Sequence, residues 1–225
     1  MSNSDKITSQ IANINPQPIG IFTLPKDKHT KYKELIYKVF NSAPESYKTI
    51  HKHEPYCVHL CNKRDRNVFR DFKELKDLEE DIKKIVLEYI HFLGYKCEQV
   101  MVNSAWMNNA SKNADLKYHY HINSYISGNY FVNFNKELHP PLNFRNDRAT
   151  CIAPSLQAIC LEKSKLTMYN DHFITIPSYE GQILLWRSHV SHGFHKINEA
   201  DDRFTLSFNT VPTQITDGNY AFSIV

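Results

Sequence analysis

The first part of the chain repeats its apolar residues every three or four positions and the rest every two; the change falls at Gly94. Before it, K-H-T-K-Y-K-E-L-I-Y-K-V-F (28–40) gathers Tyr32, Leu35, Ile36 and Phe40 on one side of a helix, with Thr30 as its N-cap. A stronger pattern runs from Arg70 to Leu93: Leu75, Leu78, Ile82, Ile85, Tyr89 and Phe92 share a stripe, Lys, Glu and Asp fill the other side, and Gly94 is the stop. Two such amphipathic helices need a surface to cover their apolar faces. Ahead of them residues 1 to 17 are polar and unpatterned, a loose lead-in, and Pro16, Pro18 and Gly20 punctuate the short run I-G-I-F-T-L.

Past Gly94 the surface appears as strands. The runs are E-Q-V-M-V-N-S-A-W-M, Y-H-Y-H, Y-I-S-G-N-Y-F-V-N-F, P-L-N-F, L-Q-A-I-C-L, H-F-I-T-I, G-Q-I-L-L-W, H-G-F-H-K-I and R-F-T-L-S-F-N-T. Short strands broken by Pro, Gly, Asn and Asp predict a mostly β sandwich or jelly roll with the helices packed outside. A chain of 225 residues can hold this as a single domain, 1–225. The expected parts are the lead-in 1–17, a helical support region 18–95 and a β core 96–225.

Composition narrows the class without naming a chemistry. The apolar and charged fractions, 41% and 23%, are those of an ordinary soluble globule, and a net charge of +3 is too small to indicate nucleic-acid binding. The first residues lack the charged and apolar regions of a secretion signal, and no apolar run is long enough to span a membrane, so the cytoplasm is expected by elimination. Five cysteines, Cys57, Cys61, Cys97, Cys151 and Cys160, form no C-x-x-C pair and suggest no disulfide framework. By residue type, Cys57 and Cys61 with His53 and His59 could make a zinc site, but the spacing fits no zinc-finger or ribbon pattern and buried thiols are the plainer reading.

Histidine placement adds chemistry. In L-K-Y-H-Y-H-I-N, alternation sends His119 and His121 to one strand face with Lys117, and Tyr118, Tyr120 and Ile122 to the other, which a core would claim. By itself that pair fits a solvated sheet face as well as a metal. A third histidine, His192, lies on a later strand with His189 and His195 nearby, and R-F-T-L-S-F-N begins at Arg203. Two or three imidazoles on one face of an iron(II) ion leave positions open for a bidentate 2-oxo acid and O₂. Arg203 suits the far carboxylate of that acid, because guanidinium and carboxylate pair through two charge-assisted bonds; Thr205 and Ser207 share its face, while Phe204, Leu206 and Phe208 face a core.

From Trp106 to Asn209 the sequence resembles the iron(II)/2-oxoglutarate-dependent oxygenases of bacteria and phages. The elements that carry the likeness are W-M-N (106–108), H-Y-H-I-N-S-Y-I-S-G-N-Y-F (119–131), G-Q-I-L-L-W (181–186), His192 and R-F-T-L-S-F-N (203–209). The resemblance implies a double-stranded β-helix that uses Fe(II), 2-oxoglutarate and O₂ to oxidise, usually to hydroxylate, a second substrate. It implies His119, His121 and His192 as metal ligands; Arg203, Thr205, Ser207 and Tyr130 for the cosubstrate; and a pocket walled by Trp106, Asn108 and Trp186.

The sequence departs from the wider superfamily at His121, where relatives carry Asp or Glu; a third neutral imidazole leaves more charge on the metal. Alternatives are Asn123 in that ligand place, or two histidines only. His172, His189 and His195 are expected around or outside the site. A zinc hydrolase and a non-catalytic binding jelly roll stand as rival functions. The second substrate, a small molecule or a protein residue, is open; Arg145 and Arg148, on a loop, suit an anionic one, although loop arginines are commonly just solvated.

Overall fold

A computed structural model describes residues 17–146, 162–168, 170–194, 196–216 and 221–224. In chain order these give β1 (Gly20–Thr23), α1 (Lys26–Ser42), β2 (Lys48–Ile50), β3 (Cys57–Leu60), α2 (Val68–Asp71), α3 (Lys76–Phe92), β4 (Val100–Ala110), β5 (Leu116–His119) and β6 (Ile126–Asn133). Then come β7 (Asn143–Arg145), β8 (Phe173–Thr175), β9 (Gln182–Arg187), β10 (His192–Phe194), β11 (Arg203–Pro212), β12 (Gln214–Thr216) and β13 (Ala221–Ser223). The run L-Q-A-I-C-L, Arg148 and His195 lie outside the described residues.

Two antiparallel sheets carry the site. The larger has the strand order β1, β9, β6, β11, β4, β3, β2 and the smaller β5, β10, β7, β8. Every long strand pairs with one distant in sequence, so the two sheets are laid down by a chain that crosses between them, as in a jelly roll. The region before Gly94 also supplies strands: β1 extends one edge of the larger sheet through β9, and β3 and β2 extend the other through β4.

Strand alternation sorts the side chains. On β11, Phe204, Leu206 and Phe208 are at most 1% exposed and face outward from the sheet pair. There they meet Ile36 and Phe40 of α1 and Leu78, Ile82, Val86 and Tyr89 of α3 in one apolar cluster. The opposite β11 face looks between the sheets, where Phe131, Phe144, Leu184, Trp186 and Phe194 form a smaller core. Gly128 on β6 is required by this arrangement: a Cβ there would come within 2.3 Å of the Phe208 ring.

Three local expectations are corrected. The first helix begins at Lys26 after Pro25, so Thr30 is an interior residue; Pro at the boundary suits a position with no amide bond to lose. The second helix is broken: α2 is capped by Asn67, Phe72 is extended (φ −124°), a 3₁₀ turn covers Lys73–Leu75, and α3 follows. Asn67 also donates to the Val102 carbonyl at 2.9 Å, so its cap is tied to β4. The buried stripe of α3 centres between Ile82 and Val86, which turns Phe92 about a quarter turn away and leaves it 80% exposed. Third, the chain leaves the strand at His119, and Tyr120 and Ile122 are exposed instead of claimed by a core.

Candidate metal and cosubstrate site

His119 ends β5 and His192 begins β10, and the two stand opposite each other in the ladder. His121 follows in the turn after β5, its amide held by the Ser188 carbonyl at 2.9 Å. One ligand atom from each of the three histidines lies within 4.8 Å of the others, the only such group of His, Cys, Asp or Glu among the described residues. The Nε2 atoms of His121 and His192 are 3.3 Å apart.

Hydrogen bonding sets the tautomers. His119 Nδ1 is 2.8 Å from the Lys117 carbonyl and His192 Nδ1 is 3.0 Å from the Val190 carbonyl. A carbonyl can only accept, so each Nδ1 carries the proton and each Nε2 keeps its lone pair. Burial drives the His121 pKa down to about 4, with His119 and Arg66 adding to the fall, and holds His192 well below its usual value. Neutral imidazoles whose bare nitrogens converge repel one another until a proton or a cation lies between them. Nitrogens about 2.1 Å from one ion, at a right angle, are about 3 Å apart, so the observed spacing fits a first-row metal.

The opposite wall is a grid read from the strand register. Cys57, Ala110 and Arg203 form one row, His59, Asn108 and Thr205 the next, and Trp106, Ser207 and Asn129 the third. All nine line one cavity of about 590 Å³ that the three histidines also line. Asn108 donates to Ser207 at 3.0 Å, and Ser207 donates to the Asn129 carbonyl oxygen at 2.9 Å, so three strands are tied by side chains across the floor.

Arg203 is the unusual member. It is 4% exposed, its Nε donates to the Pro140 carbonyl at 3.1 Å, and its guanidinium carbon lies 4.6 Å from the Phe194 ring centroid with Phe134 and Phe131 next nearest. Among the described residues its Nη2 has no hydrogen-bond partner and no carboxylate pairs with it. Burial lowers its pKa to about 10, which leaves it charged near neutrality. A buried charge without a partner is costly, and an anion delivered to Nη2 would remove that cost.

The other sequence-predicted residues divide. Trp106 and Trp186 line the cavity, their rings 5.7 Å from His121 and 4.5 Å from His192 respectively. Tyr130 does not: it stands opposite Leu206 on the outward face, fully buried, with its hydroxyl 2.6 Å from His29 Nδ1, because it is one residue out of phase with Asn129. Asn123 sits in a left-handed turn (φ 57°), exposed and away from the ligand group, so nothing places it beside the metal nitrogens. Arg145 is exposed at the end of β7 and outside the cavity wall; His172 and His189 are exposed.

Residues 104–209 match the family model described as "Putative 2OG-Fe(II) oxygenase". Over that span, just under half of the chain, the sequence is similar to the 2OG-Fe(II) oxygenases. No curated protein sequence matches it. Among solved structures, the oxygenase is similar in fold to the α-ketoglutarate-dependent epimerase SnoN of nogalamycin biosynthesis, at 8% identity and a TM-score of 0.64 over 93% of this chain and 86% of that one. HygX of Streptomyces hygroscopicus, solved with nickel, 2-oxoglutarate and hygromycin B, gives 8% identity and a TM-score of 0.56 over 88% and 84%. A prolyl-4-hydroxylase of Pseudomonas putida gives 11% and 0.51 over 86% and 92%. The family's cofactors are Fe(II), 2-oxoglutarate and O₂.

The structure of the oxygenase adds residues that motif reading missed. On the cavity wall Asn129 Nδ2 and Trp186 Nε1 are buried donors without partners among the described residues. Asn209 Nδ2 lies 3.4 Å from His121 Nδ1 and donates to Ser104 at 2.9 Å, while Asn209 Oδ1 accepts from Ser127 at 2.7 Å. His59 has the Glu54 carboxylate at 2.7 Å, close but poorly aligned; burial opposes its charge, yet Cys57 and Glu54 carry its pKa up to about 10. Period-two alternation on β11 puts Asn209 in step with Arg203, Thr205 and Ser207 and would have found it; the phase of β6 at Asn129 and the place of β3 beside β4 come only from the ladder.

Proposed function

We propose that this oxygenase binds Fe(II) through the Nε2 atoms of His119 and His192 and a ring nitrogen of His121, holds 2-oxoglutarate on Arg203, and hydroxylates a second substrate. The observation that carries the reading is the buried guanidinium of Arg203, without an acid partner among the described residues, on the wall of the cavity that the histidine group also lines. Iron supplies the activation of O₂ that side chains cannot. The chain's own residues do the rest. Arg203 Nη2 receives the distal carboxylate, with Thr205 and Ser207 on the same strand face as further hydroxyl donors, while Phe131, Phe134 and Phe194 keep water from that end. Asn129 Nδ2 and Trp186 Nε1 are free to donate to the cosubstrate's remaining oxygens.

A zinc hydrolase finds less support. It would want a carboxylate free to act as a base beside the metal, and Glu54, one of the two acids on the wall, is taken by His59. Supporting a cytoplasmic placement are the free thiols of Cys57, Cys61 and Cys97; no helix among the described residues is long and apolar enough to cross a membrane. We read the chain as one domain, since β1, β2 and β3 complete the sheet that the rest begins.

The test is anaerobic titration with Fe(II) and then 2-oxoglutarate, followed by succinate measurement in air. A weak visible charge-transfer band should appear only with both, and succinate should form slowly without a second substrate. His192→Ala should abolish iron binding, and His121→Ala should weaken it more than Asn123→Ala. A wild-type protein that takes up neither ligand would sink the reading.

A further inference from the structure

We propose that the second substrate is an anion, a carboxylate or a phosphate monoester, whose charged group binds Arg66 at the cavity rim while its apolar part lies over Trp106. This rests on the oxygenase reading and adds to it the class of molecule that is oxidised.

Arg66 lies between β3 and α2 with a left-handed backbone (φ 48°), and its carbonyl accepts the Ala105 amide at 2.8 Å, so the loop is pinned to the sheet at this residue. Its guanidinium carbon is 6.0 Å from the Trp106 ring centroid, and that ring is 5.7 Å from the His121 ring. A positive charge, a flat apolar platform and a metal-ligating imidazole are therefore in sequence along one wall. An exposed arginine in isolation is simply hydrated; this one borders a cavity that ends at the oxidising centre.

The charges on the wall leave Arg66 unmatched. Two arginines, Arg66 and Arg203, and two acids, Glu54 and Asp115, line the cavity. Glu54 is held by His59, Asp115 is exposed in the turn before β5, and neither arginine has an ion-pair partner among the described residues. Arg203, at the buried end, answers the cosubstrate. Arg66, at the open end, remains for a second anion. Tyr120 and Ile122, 63% and 72% exposed, also line this cavity and offer apolar contact to the body of the substrate. A neutral or cationic substrate would leave the guanidinium unused and meet no free carboxylate on the inner wall.

The test uses protein loaded with Fe(II) and 2-oxoglutarate under nitrogen. Phenylacetate, phenyl phosphate and the neutral phenylacetamide are titrated by calorimetry and by tryptophan fluorescence, Trp106 being the less buried of the two tryptophans. At least one anion should bind about tenfold or more tightly than the amide, the size of a charge-assisted hydrogen bond; the better of the two tells carboxylate from phosphate. Arg66→Gln should erase the preference and Arg66→Lys should keep part of it. Equal binding of acid and amide, a preference that survives Arg66→Gln, or no binding of either anion at millimolar concentration overturns the proposal. Iron and 2-oxoglutarate uptake is measured in the same samples, so loss of the oxygenase site would be seen separately.

Discussion

At the residue scale, second partners decide what the histidines and the arginine can do. Asn209 holds the ring of His121 from the side away from the metal nitrogens, and rotating its amide by a half turn would let it accept from a protonated Nδ1. Asn209→Ala is expected to weaken Fe(II) binding by roughly 10–100-fold, the usual cost of removing such a partner. Competition with a chelator measures this, and an unchanged thermal midpoint would separate it from general damage. Arg203 presents the converse case. Arg203→Met should abolish 2-oxoglutarate binding while making the cosubstrate-free protein more stable by about 1–4 kcal/mol, because an unpaired buried charge is replaced by apolar packing. A destabilised Met variant would mean that the guanidinium supports the fold through its Pro140 bond and aromatic cage.

At the element scale, β11 joins the two roles of the larger sheet. One face puts Arg203, Thr205, Ser207 and Asn209 into the cavity, and the other puts Phe204, Leu206 and Phe208 under the helices. Phe208→Ala should cost ~3–5 kcal/mol in denaturant unfolding, since the ring is 1% exposed and packs over Gly128. A loss below about 1 kcal/mol would contradict this register, and with it the direction of the cavity residues. Alternation along β11 is legible in R-F-T-L-S-F-N itself. The phase of β6 is not: Tyr130 looks like a pocket aromatic until its partner across the ladder is known to be Leu206. The break at Phe72 is equally invisible to helical periodicity, because Asn67 is fixed by a carbonyl of β4 and not by a neighbour in sequence.

At the scale of the whole molecule, buried histidines give the metal-free protein a stability maximum in pH. His121, lowered to about 4, and His192, His51 and His139, also lowered chiefly by burial, favour the neutral form in the folded state. The unfolded chain binds those protons near pH 6.5, so their contribution is present above that value and is lost as pH falls toward 4. His59 acts in the other direction. Its pKa, raised to about 10, contributes stability that is full below about 6.5 and lost as pH rises toward 10. Unfolding midpoints between pH 4 and 10 should therefore peak near neutrality on the acid side; a steady rise or fall across the range would contradict these environments. Fe(II) should raise the midpoint most above about pH 6.5 and steepen the acid limb, since it binds only the neutral imidazoles and is released as they protonate.

By itself the sequence determined what local chemistry and periodicity can express: the switch from helical to alternating pattern at Gly94, the two-faced strand at 203–209, and imidazoles at 119, 121 and 192 beside an arginine motif. These are properties of residues a few positions apart, where backbone geometry alone sets which side chains share a face. Only the tertiary structure decided that His119 stands opposite His192, that Tyr130 faces away, and that Asn129 and His59 border the cavity. It also decided that Arg66 and Trp106 meet. Each of those relations joins residues from different strands or loops, and their proximity depends on sheet register and chain crossing, which follow from packing the whole chain at once.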